Sequence, residues 1–423
     1  MNYKTVACNG CLHVALATMP HVESVCAGLW LAVGSRHERA TLSGISHFVE
    51  HLLFKGTRKR TARQISREIE GVGGYLDGFT GEEMTCCYAA AGAKHAELLL
   101  DVLFDMVDNP TFPADEIEKE RGVILEEIKM YEDQPAQRAQ ELLNSLLWPD
   151  HPLGRPITGF PETVAQIGRK DLVAHWKKYY AQGRLYVVVA GNIDPGKVVD
   201  FVLKRASSRR KPVRRSYPVF RDRRSKPGVA CLTKPVEQTH LAIGLRGVSR
   251  HDPRRLAVKL ASVILGENMS SRLFQILREE HGLAYSISSG TCHFADTGAL
   301  TILAGVETDR ALEALQLILR VVASLGRKSP SSAELRRAKE YVIGQLYLGL
   351  ESTINQMLWV GESLVGYGSV WTPAEYEKAI EAVGPEAVQN VCRYLASDRR
   401  LCVAVVGPEP PVEPIQAVAS FRP

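Results

Sequence analysis

No stretch of the 423-residue chain approaches the roughly 20 consecutive apolar residues that a membrane-spanning helix needs, which excludes an integral helical membrane protein. Cysteines are too few and too scattered for a disulfide framework: there are nine, an odd number, spread along the chain. Cys8 and Cys11 make one C-x-x-C pair with no second pair, so a hairpin near the start is expected there rather than a zinc knuckle. The first residues carry no basic segment followed by an apolar core and a small-residue cleavage site, and the expectation is a cytoplasmic protein. Excess charge of one sign is also missing. The net charge of +5 is mild and partly confined to the run 205–218, which has no aromatic platform or groove-reading motif, so nucleic acid is not an expected partner.

What is present is more specific. His47-Phe48-Val49-Glu50-His51 reads H-x-x-E-H. On a helix, residues four apart share a face, so His47 and His51 can offer two imidazoles to one metal ion while Glu50 lies beside them as a base. Thr41 and Ser43 offer capping oxygens ahead of the apolar stripe Ile45, Phe48, Val49, Leu52 and Leu53, which ends near Phe54 and Gly56. The alternative is a surface helix with two solvated histidines. The histidines flank the apolar stripe rather than oppose it, which favours the metal site.

A catalytic zinc ion takes three protein ligands, and the third must come from elsewhere in the chain. Glu127 is the candidate. It sits on an expected helix that follows Pro113, with acids toward its N-terminus and Ile117, Ile124, Leu125 and Ile128 on its buried side. Glu120 is two helical turns from Glu127 on nearly the same face, so one can ligate while the other supports. Glu126 reads as a solvated helix charge.

The stretch from His47 to Tyr131, with HFVEHLLFKGT and ERGVILEEIKMYEDQP, resembles the insulinase or pitrilysin family of zinc peptidases, the inverzincins, and within it the short-chain branch that includes mitochondrial processing peptidase and bacterial relatives. The resemblance implies His47, His51 and Glu127 as zinc ligands, Glu50 as the base that activates water, and Glu120 as an auxiliary glutamate. Asp133 to Pro135 and His151-Pro-Leu-Gly-Arg155-Pro are further matches, expected to be structural. The segment from Gly266 to Ser286 is similar to the family's second signature, and Arg278 and Tyr285 match its arginine and tyrosine. A phenol there can donate to the oxyanion formed on water attack, and a guanidinium can hold substrate backbone or carboxylates.

The length favours two domains. The expected division is 1–205 for a zinc-binding domain, 206–226 for a basic, exposed linker, and 227–423 for a homologous domain that lacks the ligands and carries the Arg278/Tyr285 pair. Duplication is visible in short echoes: Gly34-Ser-Arg-His-Glu38 against Val248-Ser-Arg-His-Asp252, and Val189-Ala-Gly191 against Val405-Val-Gly407. Where the first copy has His47 to His51, the second has Ala261-Ser-Val-Ile-Leu265. Strands are expected at 24–33, 84–91, 185–190, 240–245, 299–304 and 401–406, with helices at 94–108 and 171–180 among others. The expected class is α+β, two domains each with a largely antiparallel sheet packed with helices. The resemblance implies that the pair forms half of a clamshell.

For the substrate, Asp77, Gly78, Phe79 and Thr80 fall where the resemblance implies an edge strand that docks extended peptides. Asp77-Gly78 stands where the family usually carries Asn-Ala, and a hairpin turn is the alternative for Asp-Gly. Gln137 and Glu141 fall where the mitochondrial enzyme has two acids that recognise an arginine, so only Glu141 keeps that function available. The expected activity is zinc-dependent endopeptidase action, with one Zn²⁺ per chain, on peptides or unfolded segments. The resemblance implies that a short chain makes half of a chamber whose sites a partner completes, and because this chain carries both signatures a homodimer is expected, a heterodimer being the variant. The competing class is a non-catalytic scaffold subunit.

Overall fold

The computed structural model describes residues 2–8, 10–206, 217–222 and 226–421. They fold as two compact α+β units: Met1–Ile128 with Arg155–Pro218 and Tyr347–Thr372, and Lys129–Gly154 with Val219–Leu346 and Pro373–Pro423. The division into 1–205 and 227–423 needs correction on this point, because each unit takes in a helical piece from the other's stretch of sequence. Most of the 206–226 linker lies outside the described residues.

The first unit is built on β1 (Asn2–Cys8), β2 (Leu12–Thr18), β3 (Ser24–Leu31), β4 (Tyr75–Thr80), β5 (Thr85–Gly92) and β6 (Leu185–Gly191), in the order β1-β2-β6-β3-β5-β4. Only the β2–β6 pair is parallel. β3 and β6 are buried on both faces and therefore read as continuous apolar runs rather than alternating ones. On one face α1 (Ile45–Leu53), α2 (Ala62–Glu70), α3 (Ala96–Asp108) and α4 (Ala114–Asp133) close a core containing Leu29, Leu31, Phe48, Leu52, Phe104 and Ile124. The other face packs Trp30, Tyr186 and Val188 against Met357, Val360 and Leu364 of the helix Thr353–Tyr367.

The second unit contains β7 (Gly228–Thr233), β8 (Gln238–Arg246), β9 (Ala284–His293), β10 (Gly298–Glu307) and β11 (Leu401–Gly407), ordered β7-β11-β8-β10-β9. Its pairs run parallel, then antiparallel three times, which is the pattern of β2-β6-β3-β5-β4. The short sequence echoes therefore correspond to a repeated sheet, and Arg255–Gly266 occupies between β8 and β9 the place that α1 occupies between β3 and β4. One face carries Arg255–Gly266, Ala311–Arg327 and Pro385–Leu395. The other is covered by α5 (Pro135–Leu147), through Ala139, Leu143 and Leu147.

The expected strands are all present, within one to a few residues at their ends. β1, β2, β7 and β9 were not among the expected strands; β1 and β9 interleave polar residues, and β7 is short. Cys8 does close a hairpin: it pairs opposite Leu12 through a turn in which Gly10 takes φ +67°. The 171–180 helix begins at Arg169 and continues past Trp176 as a wider turn over Lys177–Ala181. No described helix is long and apolar enough to cross a membrane.

Candidate metal centre

α1 is held at its start by a group that the sequence does not announce. Its N-cap is Gly44 at φ +95°, not Thr41 or Ser43, and the Ser43 hydroxyl has no hydrogen-bond partner. A Cβ on Gly44 would lie 2.5 Å from the Thr158 carbonyl oxygen, so glycine is required by both conformation and space. The free N–H groups are taken by Glu38, whose carboxylate accepts from Gly44 N and Ser46 N at 2.8 Å each. Burial pushes Glu38 up to about 7 against the pull of these bonds. The Arg155 guanidinium donates to the Glu38 carbonyl, which gives the His151–Pro156 stretch a structural task. Further along, the Ser46 hydroxyl meets His175 Nε2 at 3.3 Å, tying α1 to the helix Arg169–Trp176.

On this anchored helix His47 and His51 face each other, Nε2 to Nε2, at 3.2 Å. Glu127, from α4, brings Oε2 to 3.6 Å from His47 Nε2 and 3.8 Å from His51 Nε2. Among the described residues this is the one group of three or more metal-capable side chains that converge. The three edges fit one face of a tetrahedron around an ion about 2.0–2.2 Å from each atom, whose edges are about 3.3–3.6 Å. The donor set of two imidazoles and one carboxylate suits zinc, with a position left open.

Protonation supports the same fit. His51 Nδ1 lies 3.1 Å from Glu120 Oε2, so the ring donates there and turns the Nε2 lone pair toward the cluster. Burial, with His51 adding, holds the His47 imidazole down at about 3, which keeps it neutral and able to ligate. The fold sets the two acids of α4 apart, Glu127, the ligand candidate, at the cluster and Glu120 at the back of His51. Glu120 is also bound at 2.8 Å by Lys55, a residue that reading of the motif missed. Lys55 lies just past the end of α1, in a bend, so helical spacing from His51 gave no signal for it.

Glu50 is buried beside the cluster, facing β4, and accepts at 3.4 Å from the Thr80 hydroxyl. Burial first, then Asp77 and Glu127, push its carboxyl up to about 8. β4 is one of the two edge strands of the sheet and, among the described residues, pairs only with β5. Asp77 and Gly78 therefore lie within a strand, and the hairpin-turn alternative is set aside. Gly78 has a local reason: a Cβ there would lie 3.0 Å from Glu50 Oε1 and 3.1 Å from the Phe54 ring. Gly78 and Thr80 are on the Glu50 side of the sheet, whereas Phe79 packs edge-on against Trp30 on the opposite side, 5.4 Å between ring centroids.

Arg278 and Tyr285 belong to the second unit. Arg278 lies on the wide helical turn Phe274–Glu280 and Tyr285 is the second residue of β9. The structure brings the two together, with the guanidinium 4.9 Å from the Phe274 ring centroid and 5.9 Å from that of Tyr285. Tyr285 is 76% exposed. Glu141, on α5, is bound at 2.8 Å by Arg138, so its carboxylate is already engaged by a cation of its own helix.

Residues 13–160 match the family model described as insulinase (peptidase family M16), and residues 166–342 match the one described as the peptidase M16 inactive domain. The second match includes the α1 counterpart Arg255–Gly266, which carries Ala261 to Leu265 where α1 has its histidines. The chain is 38% identical to an uncharacterized zinc protease of Mycobacterium tuberculosis over 94% of its own length and 92% of that protein's. It is 36% identical to the uncharacterized zinc protease YmxG of Bacillus subtilis, over 93% and 96%. Among solved structures, a protease from Helicobacter pylori superposes with a TM-score of 0.91 at 21% identity, covering 96% of this chain and 99% of that one. A peptidase M16 inactive domain from Pseudomonas fluorescens gives 0.88 at 21% identity, over 97% and 99%.

Proposed function

The chain belongs to the M16 family of peptidases, and from that premise we propose that it is a zinc-dependent endopeptidase acting on peptides and extended protein segments. The observation that carries the reading is the His47–His51–Glu127 triangle with Glu50 buried beside it and an edge strand alongside. His47, His51 and Glu127 would hold the ion. Bound zinc supplies Lewis-acid polarisation of water and of a peptide carbonyl.

The chain's own groups divide the remaining work. Glu50 takes the proton of the attacking water and returns it to the departing amine, a task that suits a carboxylate in a dry pocket next to a cation. Burial, with Asp77 and Glu127 beside it, favours its protonated form, so a neighbouring positive charge is needed for it to act as base. Glu120 holds the His51 ring in register. β4 adds the substrate as a further strand through main-chain hydrogen bonds, which favours extended conformation over a particular sequence. Tyr285 donates to the developing oxyanion and Arg278 steadies the substrate backbone.

We also infer a homodimer in which Arg278 and Tyr285 of one subunit serve the zinc site of the other, a reading supported by the exposure of Tyr285 and by the presence of both sets in one chain. The described cysteines are all free, which supports work in a reducing compartment such as the cytoplasm.

One experiment tests the whole reading: bound metal and hydrolysis of a mixed peptide library by the wild-type chain, by Glu50→Gln, by Arg278→Ala and by a mixture of the two variants. The expected result is about one zinc per chain in all, cleavage lost in each variant alone, and activity regained in mixed dimers. A folded wild-type chain offered zinc that neither binds it nor cleaves would point to the scaffold class. Proven mixed dimers without recovery would overturn partner completion.

A further inference from the structure

The edge strand carries a charge that the chain does not neutralise. Asp77 is half-buried, and its hydrogen bonds are to neutral donors: Oδ2 accepts from the Tyr75 hydroxyl at 2.7 Å and from the Tyr88 hydroxyl at 3.2 Å, and Oδ1 accepts from Gly78 N at 2.8 Å. No lysine, arginine or histidine among the described residues forms an ion pair with it. Its hydrogen bonds satisfy the oxygens without supplying a counter-charge, so the carboxylate is left able to take a cation in a charge-assisted hydrogen bond.

Strand parity places this carboxylate. Asp77 sits opposite Tyr88 in the β4–β5 register, and Tyr75 lies two residues back on the same face. Gly78 is opposite Cys87 on the other face, the one that meets Glu50. The Asp77 side chain thus lies across the sheet from the metal cluster. The rings of Tyr75 and Tyr88, 6.1 Å apart between centroids and tilted by 55°, stand beside it. Tyr75 is 51% exposed, so this corner of the sheet edge is open. Hydrogen bonding to Asp77 raises the Tyr75 phenol above its usual range, and both hydroxyls stay protonated and aimed at the carboxylate.

An extended peptide added to β4 sends alternate side chains to the two faces. Those on one face meet Gly78, Thr80 and Glu50; their immediate neighbours meet Tyr75, Asp77 and Tyr88. We propose that Tyr75, Asp77 and Tyr88 form a subsite for a lysine or arginine side chain of the substrate, one position removed in the peptide from a residue that faces Glu50. The ammonium or guanidinium would supply the missing counter-charge at Asp77, and its alkyl stem and charge would rest on the tyrosine rings. The subsite rests on the peptidase reading given above and adds a side-chain preference to an otherwise backbone-directed mode of binding. It gives Asp77 a specificity role and leaves the bond-breaking chemistry to the other face of the strand.

The test uses the full-length, zinc-loaded protein and a set of peptides that differ at one position, carrying lysine, acetyl-lysine, glutamine or glutamate there, with that position moved stepwise across the cut bond. At one position the lysine peptide should be cleaved about tenfold faster, by kcat/KM, than its glutamine or acetyl-lysine counterpart, the ratio expected of one charge-assisted contact. Asp77→Asn should bring that ratio near one, and Asp77→Lys should reverse it in favour of glutamate. Binding of the same fluorescent peptides to zinc-loaded Glu50→Gln, read by anisotropy, should show the same order without turnover. If the Asp77 variants fail to fold, Tyr75→Ala at the exposed wall should still lower the ratio. Equal rates for lysine and acetyl-lysine at every position, or a ratio unchanged by Asp77→Asn, would overturn the subsite while leaving the peptidase reading intact. Absence of any zinc-dependent cleavage by the wild-type chain would overturn both.

Discussion

At the scale of single residues, the pairing of His47 with His51 was legible because it depends on local spacing. H-x-x-E-H fixes two imidazoles on one helical face whatever the rest of the chain does. Lys55 was not recognised, because its partner Glu120 is far away in sequence and the contact depends on how α1 and α4 pack. Its position yields a prediction. The Glu120 carboxylate joins His51 Nδ1 on one oxygen to Lys55 Nζ on the other, at 3.1 and 2.8 Å. Removing the ammonium leaves a buried carboxylate free to turn or to draw charge onto His51, and either change spoils the ligand's orientation. Lys55→Met should therefore weaken zinc binding by about 10-fold or more, the usual effect of disturbing a group that orients a ligand. Lys55→Arg should recover most of it. Competition with a chromogenic chelator would measure this without reference to turnover, and an affinity unchanged in Lys55→Met would show that Glu120 holds His51 unaided.

At the scale of elements, the sequence located α1 but misassigned what starts it. Thr41 and Ser43 are good capping types, yet Gly44 intervenes in the left-handed region, and Glu38 reaches the helix N–H groups from a preceding turn. Local propensity could not reveal that, since the contact is made by a chain reversal. The same applies to His175, which supports α1 through Ser46. Burial, with His37 and Lys178 adding, lowers the His175 pKa to about 3, so the native state keeps it neutral while the unfolded chain protonates it near 6.5. Between those values the unfolded state binds more protons, so stability rises with pH. The contribution is complete above about 6.5 and is lost progressively as pH falls toward 3, at up to about 1.4 kcal/mol per pH unit. His175→Gln keeps a hydrogen-bonding group toward Ser46 and removes the titration. Urea unfolding of wild-type and variant protein at pH 7.5 and pH 5 should show the wild type losing more stability over that interval. Parallel losses would mean that His175 is not the group that senses acid.

At the scale of the whole molecule, the repeat was legible and the exchange of helices was not. Strand runs such as 185–190 and 401–406 announce two similar sheets because doubly buried strands are apolar throughout. Which helix covers which sheet is a non-local matter, and the proline-bearing basic run that marks a linker says nothing about it. The consequence is that residues 1–205 do not contain the whole first unit. The face of its sheet that carries Trp30, Tyr186 and Val188 is closed by Met357, Val360 and Leu364. The Trp30 indole N–H is 3.3 Å from Met357 Sδ, and the approach is so close that a Cβ on Gly361 would lie 2.1 Å from the Trp30 ring. Each of those three side chains is worth about 1.5–3 kcal/mol when buried, so losing the helix removes a sum comparable with the 5–15 kcal/mol stability of an ordinary domain. A fragment of residues 1–205 should therefore expose that face, bind a hydrophobic dye and unfold without a sharp transition, although it holds every proposed zinc ligand. Supplying residues 347–372, joined by a flexible linker or added as a peptide, should restore a cooperative transition and bring zinc binding with it, because the ligands on α1 are positioned by the same sheet. A 1–205 fragment that is monomeric, melts cooperatively and binds zinc as tightly as the full chain would show that the exchanged helix decorates the sheet rather than completes it.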